Sequence, residues 1–61
     1  MKYYCLNRTQ SNLQVMPYTE DGFDNYQQAY RYAKKHSRHY YYGIVREDRL
    51  TEVQQRYKES L

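Results

Sequence analysis

Cys5, His36 and His39 are the residues of this chain best suited to hold a metal, because zinc takes thiolate and imidazole ligands in tetrahedral sets. They supply three ligands at most, and no Cys-x-x-Cys pair accompanies the His-x-x-His spacing. The plainer reading is a buried or half-buried cysteine and two solvated histidines near a helix end, so no metal and no cofactor are expected. Nucleophilic catalysis would require Cys5 beside a base and an orienting group in a concavity, with His36, His39, Asp21 and Asp24 as available partners. No motif links these residues. Gly22 and Gly43 are the only glycines, so the sequence holds no glycine-rich phosphate loop. A non-enzymatic, binding role is the expectation that remains.

Two sets of side chains could do the binding. Arg31, Lys34, Lys35 and Arg38 collect on one side of a helical segment, where cations can follow phosphates while tyrosines stack on bases. Four such contacts would give a log–log salt slope of roughly −3 to −4. The plainer reading of the same residues is a solvated helix face. The formal charge of +3 and pI near 9.1 favour anionic partners without demanding them. The second set is the tyrosines. Ten are present with one phenylalanine and no tryptophan, more than the leucines, isoleucines and valines together. A tyrosine buries an apolar face while its hydroxyl reaches water or a partner, which suits a thin domain and also enriches the residue at interfaces.

Positioning these groups falls to a single domain, residues 1–61. A chain this short buries only about 60% of the surface its unfolded form exposes, so a large enclosed pocket is not expected. One cysteine rules out an internal disulfide and suits a reducing compartment, and no apolar run marks a membrane span or a leader peptide. A cytoplasmic location without membrane contact follows as the expectation. Residues 2–8 and 13–18 read as strands joined by the polar connector Thr9-Gln10-Ser11-Asn12, hence a β-hairpin, with Pro17 ending the second strand or marking it as an edge. Asp24 stands three residues before Gln27, the spacing of a capping box, and opens a helix over 25–38. Phe23, Tyr26, Ala29, Tyr30, Ala33 and Ser37 form its apolar stripe. Residues 40–46 are the strongest strand and should pair inside the sheet. Leu50, Val53, Tyr57 and Leu61 recur at three and four, which predicts a short C-terminal helix, with a fourth strand over 50–55 as the rival.

The fold class is therefore α+β: a small antiparallel sheet with one helix packed on a face, in the order β-β-α-β, followed by the short helix or fourth strand. Strand alternation places Tyr40, Tyr42 and Ile44 on one side and Tyr41 and Val45 on the other. On this basis Tyr4, Leu6, Tyr26, Tyr30, Tyr42 and Ile44 are assigned to the core. Tyr3, Tyr32 and Tyr41 are assigned to an exposed partner surface, joined by Arg31, Lys34, Lys35 and Arg38. One sheet face is expected to lie open, available to a partner or to a second copy in a homodimer.

The hairpin, the Phe-Asp-x-Tyr-x-x-Ala helix entry at Phe23 and the Tyr-Tyr-Gly-Ile-Val strand at Tyr41 together resemble small ββαβ proteins encoded by bacteriophages and prophages. The resemblance spans about two thirds of the chain, is one of layout, and carries over no functional residue. It implies a stoichiometric role: binding a host protein or protein complex, such as a transcription or defence complex, and modulating or inhibiting it. Direct nucleic-acid binding through the basic helix side and exposed tyrosines is the alternative.

Overall fold

A polar tetrad closes the first hairpin. The Thr9 amide and hydroxyl both donate to the Asn12 carbonyl (2.8 and 2.9 Å), and the Asn12 amide returns a bond to Thr9 Oγ1 (3.0 Å). Short hydroxyl side chains satisfy turn backbone in this way, so residues 9–12 fold back at little cost. The flanking strands are β1 (Tyr3–Arg8) and β2 (Leu13–Val15), in register Leu6↔Val15, Asn7↔Gln14 and Arg8↔Leu13. The computed structural model describes residues 1–36 and 39–61 and continues with α1 (Tyr26–His36), β3 (Tyr41–Arg46), a 3-10 turn (Glu47–Arg49) and α2 (Leu50–Glu59). The order β-β-α-β-α is the α+β layout that the sequence implies, and residues 50–59 are helix rather than a fourth strand.

The sheet is antiparallel throughout, in spatial order β2-β1-β3. β3 pairs with β1 but forms an edge, and the central strand is β1. Between Leu6 and Asn7 the β1–β3 register slips: Leu6 faces Gly43 while Asn7 faces Tyr41. That bulge adds one residue to β3 and breaks the period-two alternation. Tyr41 and Ile44, three residues apart, consequently both pack on the α1 side, while Tyr42 points to the other side and meets Tyr57 of α2 edge to face (6.2 Å, 78°).

Each sheet face carries a helix. Under α1 lie Cys5, Met16, Ala29 and Ala33, with Tyr3, Phe23, Tyr32, Tyr41 and Ile44 packed around them. The two alanines bring the helix close enough for the Cys5 thiol to donate to the Ala29 carbonyl (3.2 Å). Burial pushes that thiol's pKa up and does the same to the Tyr41 hydroxyl. Leu6 and Leu13, both fully buried, belong by alternation to the opposite face, which α2 closes. Gln54 Nε2 donates to the Leu13 carbonyl (2.8 Å) and the Tyr57 hydroxyl to the Thr9 carbonyl (3.2 Å), tying α2 to the first hairpin. The sheet face expected to lie open is thus covered.

The entry to α1 also differs from the expected capping box. Asn25 is the cap: its Oδ1 accepts from the Gln28 amide (2.9 Å), while Asp24 instead pairs with Lys2 (2.6 Å). Ahead of it, Gly22 has φ +78°, and a Cβ there would sit 2.9 Å from Lys2 Cβ and 3.0 Å from the Tyr4 ring. Only glycine fits, and it lets Phe23 bridge to Tyr3 through two 2.8 Å backbone bonds.

Candidate binding surface on α1 and the adjoining cleft

Because Ala29 and Ala33 face the sheet, helical geometry turns Arg31, Lys34 and Lys35 to the outer crest of α1, where all three are exposed. No Asp or Glu occurs in Tyr26–His36. The ion pairs among the described residues are Lys2–Asp24, Arg46–Asp48, Arg49–Glu52 and Arg56–Glu52, and none reaches the crest. Its three cations therefore stand together without a local counter-charge. Arg38 and Ser37, assigned to the basic side and to the apolar stripe, lie outside the described residues.

On one flank of the crest Tyr26 and Tyr30 lie stacked, with centroids 6.3 Å apart and planes 14° from parallel, and Tyr3 meets Tyr26 edge to face. With Gln27, Arg31 and Lys34 the pair lines a shallow groove of about 320 Å³. Tyr26 and Tyr30 are half exposed, as is Tyr42, so all three depart from their assignment to the core. Conversely Tyr3, Tyr32 and Tyr41, assigned to an exposed surface, are partly buried against the core. The bulge explains Tyr41 and Tyr42, a helix resting on small alanines pushes Tyr26, Tyr30 and Tyr32 to its flanks, and Tyr3 shares the Cys5 side of β1, which α1 covers.

The other flank borders a larger cleft of about 400 Å³, formed by Asn7, Met16, Pro17, Tyr18, Tyr32, His36 and Tyr40. Met16, 3% exposed, belongs to its buried floor. Tyr32 forms a wall, its hydroxyl donating to the Pro17 carbonyl (3.2 Å) and its ring lying tilted against His36 (4.3 Å between centroids, 33° between planes). Tyr40, half exposed, lies against His39 (4.1 Å). Cys5, His36 and His39 are not brought together, and among the described residues no three His, Cys, Asp or Glu side chains form a ligand set.

Tyr18 stands at the lip. The Thr19 amide donates to the Met16 carbonyl (3.2 Å), so residues 16–19 form a β-turn with Pro17 at its second position and Tyr18, φ +69°, at its third. Proline followed by positive φ defines a type II turn, whose third position ordinarily requires glycine or asparagine. For a bulky residue this conformation costs on the order of 1–3 kcal/mol. No packing compensates, since Tyr18 is 94% exposed. Tyr18 and Tyr40 are absent from the partner surface expected from the sequence; for Tyr18 the available signal is Pro17-Tyr18, a turn dipeptide with a ring where glycine belongs.

Comparison with protein-family models, with curated protein sequences and with solved structures gave no significant match. Among the described residues no helix is long and apolar enough to cross a membrane.

Proposed function

We propose that this chain is a non-enzymatic binding protein of the phage and prophage accessory type, which docks on a host macromolecular complex and modulates it. The observation that carries this reading is the α1 crest: Arg31, Lys34 and Lys35 exposed, unpaired among the described residues and flanked by the stacked Tyr26–Tyr30 pair. Uncompensated like charge costs the free protein self-repulsion, which contact with an anionic surface relieves. Exposed tyrosines beside it add contact area at low conformational cost. The contact is therefore with an anionic component of the host complex, made by α1 rather than by a bare sheet face.

The test is a pull-down from bacterial lysate with the wild type, with Arg31→Glu/Lys34→Glu/Lys35→Glu, and with the control Arg56→Glu/Lys58→Glu on α2. The wild type and the control should retain one complex in a salt-sensitive manner, and the crest variant should lose it. Retention of the same complex by the crest variant, or recovery of none by the wild type, would refute the reading.

A further inference from the structure

Tyr18 occupies a position that glycine would fill more stably, gains no packing there, and belongs to the lining of the larger cleft. A strained residue retained without structural return points to function at that spot. Tyr32, Tyr40 and His36 line the cleft with aromatic side chains, Tyr18 stands almost fully exposed beside them, and Met16 adds a polarizable floor. A space of about 400 Å³ is within the range of small-ligand sites and suits a flat ring better than a branched aliphatic group. Asn7, the one amide in the lining, offers donors and an acceptor together, which is how such a side chain reads the edge of a heterocycle.

Charge decides which flat ring. Lys35 lies on the α1 flank that also bears Tyr32 and His36, and Lys34 and Arg31 continue along the crest away from the cleft. Glu20, two residues from Tyr18, accepts at its Oε2 from the Tyr18 amide (3.1 Å), and the cations lie on α1, so an anion leaving the cleft is drawn to the α1 side. A ring in the cleft with phosphates along the crest describes a nucleotide of a single strand. The Tyr26–Tyr30 pair, about 9 to 15 Å along the helix axis from His36, provides a second stacking station for the same strand.

We propose that the cleft of Asn7, Met16, Tyr18, Tyr32, His36 and Tyr40 binds one unstacked base of a single-stranded nucleic acid whose phosphates follow Lys35, Lys34 and Arg31. This rests on the crest reading above and names the anionic component as nucleic acid. Three probes separate the two claims: a short oligothymidylate, an abasic strand of equal length and charge, and polyglutamate, each titrated at low salt and followed by tyrosine fluorescence. The wild type should prefer the thymidylate over the abasic strand by roughly 5- to 150-fold, the worth of one base stacked on an aromatic. Tyr18→Gly should erase that preference, keep the abasic affinity and raise the melting temperature; Tyr40→Ala should weaken the preference without unfolding the protein. Equal wild-type affinity for the thymidylate and abasic strands overturns the base site while leaving the crest reading in place. Polyglutamate binding as tightly as the thymidylate assigns the crest to an acidic protein and overturns the nucleic-acid claim. Failure of all three to bind overturns both.

Discussion

The two helices are of similar length and each lies against one face of the same sheet, yet they differ in what they do with their outer surface. α2 carries Glu52 and Glu59 beside Arg56 and Lys58, with Glu52 reaching both Arg49 (3.0 Å) and Arg56 (3.9 Å), and its Gln54 and Tyr57 bond back to the hairpin. It is electrically closed and committed to holding Leu6 and Leu13 dry. α1 rests on alanines, so its large side chains stay at the flanks, and its three crest cations face no carboxylate of their own helix. Amphipathicity is common to both helices; charge compensation on the solvent side is what differs between them.

The largest effect that can break this contrast lies under α2. Leu6→Ala should cost about 2–5 kcal/mol, comparable with the roughly 3–5 kcal/mol that a core of this size supplies, so circular dichroism should find the variant largely unfolded at room temperature. The crest triple reversal should leave the melting curve within about 0.5 kcal/mol of wild type. A stable Leu6→Ala protein would mean that α2 seals nothing. Next comes Gly22→Ala, which forces a Cβ into Lys2 and Tyr4 at positive φ; it should cost more than about 1 kcal/mol in urea titration.

A paired comparison sharpens the division of labour. Tyr57→Phe removes the bond to the Thr9 carbonyl and should lower stability by about 0.5–1.5 kcal/mol without changing ligand binding. Tyr30→Ala, on the free flank of α1, should do the reverse. Alkaline titration reads the α1 core: with the Cys5 pKa raised by burial, the unfolded chain loses its thiol proton first, so stability falls as pH rises above about 8.5. Cys5→Ala should remove the onset of that loss, and the raised Tyr41 hydroxyl should contribute a later phase.

The smallest effect belongs to the exposed pair Lys2–Asp24. Hydrogen bonding to Lys2 lowers the Asp24 pKa, so its contribution is present above the ordinary carboxylate range and is lost as pH falls through the depressed value. Asp24→Asn should leave the melting temperature nearly unchanged at physiological salt, because solvent screens such a pair.

The sequence by itself determined the element order, the hairpin and its polar turn, the end or edge placement of the second strand marked by Pro17, the amphipathic middle helix and the helical period of residues 50–59. These are local properties: turn chemistry, periodicity and proline's missing donor act within a few residues. Which tyrosines are hidden was decided only by the tertiary structure. One extra residue in β3 reverses the face of Tyr42 relative to Ile44, and a bulge arises from pairing with β1 that no single strand records. The covering of the second face by α2, the choice of Asn25 over Asp24 as cap once Lys2 captures the carboxylate, and the cleft at Tyr18 likewise join residues distant in the chain. The basic crest was legible because cations at helical spacing need no partner to be recognised. That no ion pair among the described residues reaches it is a fact of packing, and this makes α1 the surface to test.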